Sequence, residues 1–177
     1  MKTRNGKLTL IHLVTYLLFL LPVRRLDLFQ ENYSTLSLNT EGYFYFFFLG
    51  IILGLVLSYD TCRIAGKRNA KIIFAALIVG TMIPHQVPYR LRGYLHLLCS
   101  YTGSFITIVI TYFNLQRSQN ILLKNIFILS VLCSVLLYIR IGMVSTILEV
   151  VLMTSILWIN YFLVRHLNQY SQSIDQY

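Results

Sequence analysis

The sequence predicts an all-α integral membrane protein, a single domain over residues 1–177 made of six transmembrane helices. Hydrophobic residues make up 56% of the 177 residues and charged residues only 12%, about half the share found in soluble domains. The mean hydropathy is +0.66. Because the few charged residues cluster between long apolar runs, the surface of the chain is expected to face lipid.

Six apolar runs are long enough to cross a bilayer, which takes about 20 residues and fewer where flanking Lys and Arg side chains reach toward water. The predicted spans are residues 8–23, 43–59, 72–83, 94–113, 121–138 and 143–164. The third span is the shortest, and we expect it to begin or end within a flanking loop. Residues 165–177 are expected to form a short polar cytoplasmic tail, disordered from Asn168 onward.

The first span resembles the start of a secretory signal, because Lys2, Arg4 and Lys7 precede it. No small-residue cleavage site follows Pro22, so this span is expected to remain as the first helix. Of the 15 Lys and Arg residues, ten fall on the side of the N-terminus and five on the other side. This bias predicts that both termini are cytoplasmic, in what we expect to be a bacterial cytoplasmic membrane.

The composition also argues against some classes of function. The basic residues behind the net charge of +9 flank the apolar spans and form no basic stripe with interleaved aromatic residues, so nucleic-acid binding is not expected. Cys62, Cys99 and Cys133 stand singly, without the spacing of a metal site. No metal or other cofactor is predicted, and the lipid bilayer is the first expected partner.

Two spans carry patterns of small residues. Gly50 and Gly54 lie four apart on one face of the second span, where another helix can approach closely, and packing within the chain is favoured over a dimer interface. On the fourth span, steps of three or four residues lead from His96 through Ser100 to Thr111 along small and polar positions. Such a stripe is typical of helix packing, and the alternative is the lining of a cavity or substrate groove.

The sixth span contains Glu149, the only acidic residue deep in a predicted span. A carboxylate in hydrocarbon is costly, so Glu149 is expected to face the bundle, pair with a cation or stay protonated. The fourth and sixth spans enter from the same side, and at 1.5 Å per residue Glu149 lies about 9–10 Å below that surface and His96 about 4–5 Å. The two are therefore expected to meet in an outward-facing polar pocket. Its predicted members are His96, Ser100 and Glu149, rimmed by Arg92, Arg140 and His85.

Three interpretations of this pocket stay open. In the first, Glu149 pairs with His96 or Arg140 and fixes the order of the helices. In the second, the pocket binds a phospholipid or polyprenyl headgroup, with arginines on the phosphate. The third and least favoured makes His96 a general base for Ser100 or water, oriented by Glu149, in acyl or phosphoryl chemistry.

The stretch PHQVPYRLRGYLHLLCSYTG, residues 84–103, resembles the corresponding part of the DRAM-like six-helix membrane protein superfamily and its uncharacterised bacterial relatives. The likeness covers residues 49–111 and consists of a loop with prolines, a glycine and a histidine that opens the fourth helix. It implies a small bundle whose eukaryotic relatives are linked to lipid handling, glycolipid-anchor remodelling and autophagy. Only His96 carries over, and Glu149 has no counterpart. The sequence also departs from the family pattern, because Arg90 and Arg92 stand where the family often has an acidic residue.

The expected function is to bind or organise lipid, or to assist a membrane-protein partner, without catalysis. A membrane-embedded enzyme that modifies lipids or lipid-linked substrates is the alternative. A transporter subunit is less favoured, because a path across the bilayer needs polar residues at several depths and the inner halves of these spans offer few.

Overall fold

The computed structural model describes residues 2–38, 40–83 and 91–174, and within them it contains six α-helices. These are α1 (Lys2–Leu20), α2 (Thr40–Ala65), α3 (Lys67–Met82), α4 (Leu91–Ser118), α5 (Ile121–Ile141) and α6 (Thr146–Ile174). Two short 3-10 helices, Leu21–Arg25 and Tyr33–Leu38, lie in the first connection, residues 21–38. The predicted all-α fold class is confirmed.

Five of the six helices are long and apolar enough to cross a membrane, counting only the residues that the structure describes. The exception is α3, whose 16 residues rise about 24 Å, less than the roughly 30 Å of a hydrocarbon core. The predicted third span was also short, and the structure begins this helix five residues earlier, at Lys67. The prediction of a multi-pass membrane protein is therefore confirmed with five candidate spans.

The connections between helices are short where special backbone conformations allow a sharp turn. Gly66 alone separates α2 from α3, and its φ of +90° is one that glycine adopts without steric cost. Gly142 ends α5 with a φ of +81°, and its N–H donates to the Tyr138 carbonyl at 2.8 Å. Asn120 caps the start of α5 by accepting the Leu123 N–H at 3.0 Å. Such tight turns make neighbouring helices antiparallel.

Because successive helices alternate in direction, the bundle has two ends. The upper end consists of the first connection, Ile83 and residues 142–145, and the lower end of Gly66, residues 118–120 and the start of α1. The lower part of α1 meets the lower part of α6, where the Thr9 hydroxyl lies 2.8 Å from the Tyr161 hydroxyl. At the upper end the backbone of α6 begins against the first connection, with the Thr146 N–H donating to the Glu31 carbonyl at 2.6 Å.

Small residues let α3 pack closely between α2 and α4. A Cβ atom on Gly50 would collide with the Thr81 side chain, and one on Gly54 would meet the surface of α3 at 3.3 Å. On α4, a Cβ atom on Gly103 would lie 2.6 Å from the carbonyl oxygen of Ala76. The Gly50 and Gly54 face of α2 is thus an intramolecular helix contact.

The helix α6 runs through the core and beyond the predicted end of the sixth span. Residues 168–174, expected to be disordered, continue α6 as a helix to Ile174. Asn168 is buried, and its side-chain oxygen accepts a hydrogen bond from the Arg63 guanidinium at 3.0 Å. This contact with the end of α2 anchors a polar stretch that composition alone assigns to solvent.

Candidate functional site

A cavity of about 210 Å³ lies at the upper end, between α2, α3, α4, α6 and the first connection. Its walls are mostly apolar, with Leu49, Leu53, Leu77, Leu148 and Leu152 among the lining side chains. The polar side chains that line it are Asn32, Ser34, His96, Ser100 and Glu149 together with a few further hydroxyls. An apolar chamber with clustered polar groups is the usual composition of a small-molecule site.

His96 is fully buried on the inner face of α4, and both of its ring nitrogens have oxygen partners. Nδ1 lies 2.5 Å from the Ile83 carbonyl oxygen, and Nε2 lies 2.8 Å from the Ser34 hydroxyl. A carbonyl oxygen can only accept, so Nδ1 carries the proton and donates it to Ile83. In the neutral ring Nε2 is then an acceptor, and the Ser34 hydroxyl donates to it.

Ser100 contacts the same ring nitrogen more weakly. Its hydroxyl lies 3.4 Å from His96 Nε2 and 3.3 Å from the Gly80 carbonyl oxygen, both at the long end of hydrogen bonding. Among the described residues, Ser34, which the sequence analysis did not single out, is therefore the closest hydroxyl partner of His96. Ser34 lies in the irregular first connection, where no helical or strand periodicity points to a residue.

Glu149 anchors the first connection to α6. Its carboxylate accepts the Tyr33 backbone N–H at 2.7 Å, and the Ile147 N–H donates to the Leu28 carbonyl at 3.0 Å. Without these bonds, the N–H group of Ile147 in the first turn of α6 and that of Tyr33 in the connection would lack a hydrogen-bond partner. Among the described residues no cation pairs with Glu149, so the predicted pairing with His96 or Arg140 is not seen.

Tyr33, the residue directly before Ser34, is also held through its side chain. Its hydroxyl donates to the Phe19 carbonyl at 2.6 Å, and the two rings stack with centroids 4.6 Å apart. Burial raises the pKa of the Tyr33 hydroxyl above its ordinary value, and the negative charge of Glu149 raises it further. The connection is thus held at Tyr33 by both its backbone and its side chain.

The structure brings three of the predicted pocket residues together and leaves the arginines outside. His96, Ser100 and Glu149 all line the cavity. Arg92 and Arg140 have exposed side chains and do not line it. His85 lies outside the described residues. The rim of the cavity is formed instead by the first connection, through Asn32 and Ser34.

A second buried polar cluster, which the sequence analysis missed, lies toward the lower end. His12 and Asp60 are fully buried, with His12 Nε2 2.8 Å from an Asp60 carboxylate oxygen and Nδ1 2.9 Å from the Leu8 carbonyl oxygen. Both ring nitrogens of His12 face oxygen atoms. The hydrogen bond between Nε2 and Asp60 therefore needs a proton, which either the imidazole or the carboxyl group can hold. Asp60 directly follows the predicted second span, and α2 continues past it to Ala65.

Further polar residues are buried where α4 and α6 pack together. Asn160 on α6 donates to the Thr111 hydroxyl at 3.4 Å and accepts from the Asn114 amide at 3.3 Å, and all three side chains are fully buried. The inner halves of the helices therefore carry more polar groups than the sequence analysis expected. Each of these residues faces the bundle, where helix partners can satisfy hydroxyl and amide groups, although the Asn114 side-chain oxygen is buried without a hydrogen-bond partner among the described residues.

The described residues contain no group of three His, Cys, Asp or Glu side chains that could hold a metal ion. The chain matches no protein-family model, no curated protein and no solved structure. The resemblance to the DRAM-like superfamily therefore stays a prediction.

Proposed function

We propose that this multi-pass membrane protein binds a lipid by one acyl chain in the upper cavity. The observation that carries the proposal is the composition of the cavity, in which leucine-rich walls meet a cluster of polar groups around His96, Ser34 and Glu149. An acyl chain matches the walls, and an ester or headgroup matches the hydroxyls and the imidazole. The volume of about 210 Å³ is below the roughly 300–1,000 Å³ of drug-sized pockets, so one chain segment suits it better than a whole phospholipid.

The membrane arrangement that we propose for this function has six helices across the bilayer and both termini in the cytoplasm. Three features support it. The turn at Gly66 folds α3 back along α2, and α4 follows on its other side. Lys67, Arg68 and Lys71 at the start of α3 can extend toward the headgroups and offset its short length. The excess of Lys and Arg on the side of the N-terminus marks the lower end as the cytoplasmic one, which directs the cavity outward.

The test is mass spectrometry of the lipids retained by the detergent-purified chain. We expect the wild type to retain an acyl lipid. In L53W the tryptophan fills the cavity from a buried position, so this variant should retain at least about tenfold less lipid, which corresponds to ~1.4 kcal/mol of binding free energy. The matched control is L55W on the same helix, where the side chain is exposed and outside the cavity, and which should retain lipid as the wild type does. Equal retention by the two variants, or no lipid on the wild type, would contradict the proposal.

A further inference from the structure

We infer that Ser34 and His96 form a nucleophile–base pair that cleaves or transfers the acyl group of a lipid ester bound in the upper cavity. The inference rests on the proposed lipid binding and adds a reaction to it. The Ser34 hydroxyl lies 2.8 Å from His96 Nε2, within the roughly 2.6–3.2 Å that a general base needs. The Ile83 carbonyl holds the other nitrogen at 2.5 Å and so fixes the tautomer in which Nε2 accepts a proton.

The Ile83 carbonyl takes the orienting position that a carboxylate occupies in serine hydrolases with three-residue sites. It keeps the imidazole in place and in the required tautomer. It carries no full negative charge, so it stabilises the protonated ring less than a carboxylate does. A slow acyl transfer is therefore the expected chemistry.

The position of Ser34 is fixed independently of His96. Its neighbour Tyr33 is held through the backbone N–H by Glu149 and through the hydroxyl by the Phe19 carbonyl. Such anchoring limits the movement of Ser34 relative to the base, and a nucleophile held in place saves orientational entropy on reaction. Both Ser34 and His96 line the same cavity, so the pair faces the space where an ester would lie.

The reaction needs no metal or redox partner. As the Ser34 oxygen attacks the ester carbonyl carbon, its proton passes to His96 Nε2. The tetrahedral intermediate then breaks the bond to the leaving alcohol, which takes the proton from His96. Water or a second alcohol next attacks the acyl carbon while His96 Nε2 takes its proton. The bond from the acyl carbon to the Ser34 oxygen then breaks, that oxygen takes the proton back from His96, and a fatty acid or a new ester leaves together with free Ser34.

The experiment treats the full detergent-purified chain with a long-chain alkyl fluorophosphonate and locates the modified residue by mass spectrometry. Attack by Ser34 on phosphorus expels fluoride and leaves a stable phosphonyl ester on that oxygen. We expect Ser34 to be labelled in the wild type, no label there in S34A, and a labelling rate at least about 100-fold lower in H96Q, since a general base contributes about 10²–10⁴-fold. The matched control is S155A, whose hydroxyl bonds only within α6 and outside the cavity, and which should be labelled like the wild type.

The thermal unfolding transition of H96Q shows whether this variant folds. If it does not fold, the pH dependence of labelling in the wild type tests the role of His96 instead. In the wild type, the labelling rate of Ser34 should fall toward acidic pH, because a protonated imidazole cannot accept the serine proton. Labelling of Ser34 that is absent, or that is independent of both His96 and pH, would overturn the inference. Retained lipid without labelling would overturn this inference alone, whereas absence of both would also remove the proposed lipid binding.

Discussion

Replacing His12 by leucine leaves the Asp60 carboxyl group without its hydrogen-bond partner in an apolar interior. Both side chains are fully buried, and His12 Nε2 is the partner of one carboxylate oxygen at 2.8 Å. The other carboxylate oxygen is buried with no partner among the described residues. Because removing one member of a buried ion pair typically costs about 3–5 kcal/mol, we expect H12L to lose that much of its free energy of unfolding.

A second substitution should offset the first, because the cost comes from the orphaned acid. In H12L/D60N the amide is neutral, so this double variant should be more stable than H12L. The single variant D60N should lose only about 1 kcal/mol, since the asparagine amide can donate to Nε2 of a neutral His12 whose Nδ1–H still bonds the Leu8 carbonyl. The pair thus predicts strong coupling in a double-mutant cycle.

The assay is denaturant or SDS unfolding of detergent-solubilised protein, followed by the fluorescence of the single tryptophan. Trp158 is well placed as the probe, because its ring contacts Tyr161 at 5.4 Å between centroids and Tyr161 contacts the His12 ring at 5.1 Å. The matched control is H166L, an exposed histidine whose loss should change stability by less than about 0.5 kcal/mol. If H12L loses no more stability than H166L, or if D60N destabilises H12L further, then His12 and Asp60 do not form a stabilising buried pair.

Two further predictions concern the upper half of the bundle. Gly103→Ala should lower the free energy of unfolding by about 1–3 kcal/mol, because the added methyl group would lie 2.6 Å from the Ala76 carbonyl oxygen and force α3 and α4 apart. If the variant is as stable as the wild type in thermal unfolding, the two helices do not pack this closely. For Tyr33, the raised pKa means that the folded state keeps its hydroxyl proton where the unfolded chain loses it, so stability should fall as pH rises above about 10. Tyr33→Phe should weaken this alkaline loss of stability, and at neutral pH it should lower the free energy of unfolding by about 0.5–1.5 kcal/mol because the hydrogen bond to Phe19 is missing. Unfolding curves at pH 7 and pH 11 measure both effects. An unchanged alkaline loss would rule out Tyr33 as its source.

The helices could be predicted because each depends on a long local run of apolar residues. The convergence of His96 and Glu149 on one cavity also followed from local geometry, since both positions are counted along helices that begin at the same end. Asp60 was harder to recognise, because it follows Tyr59 and precedes a basic cluster that suggests a loop. Only the continuation of α2 to Ala65 and the presence of His12 opposite it bring Asp60 into the core.

Ser34 could not be predicted from any periodic pattern. Its place depends on the docking of the first connection on α6, through contacts that join residues more than 100 positions apart, such as Tyr33 and Glu149. Arg92 shows the opposite case, a residue that the helical pattern predicts at the site and that the structure leaves outside it. It lies one turn before His96 on the same face of α4, yet its side chain is exposed beyond the cavity, because helical spacing gives the face but not where the bundle ends.

The hydrogen bonds between the first connection and the start of α6 also bear on the biogenesis of the protein. During synthesis the connection leaves the ribosome early, whereas its partners Thr146, Ile147 and Glu149 belong to the last helix. Until that helix inserts, the loop that carries Ser34 keeps the contact of Tyr33 with Phe19 but lacks the hydrogen bonds to α6 that complete its anchoring. The upper cavity is therefore completed only at the end of insertion, and a nascent chain that stops before α6 carries the histidine and the serine without the assembled site.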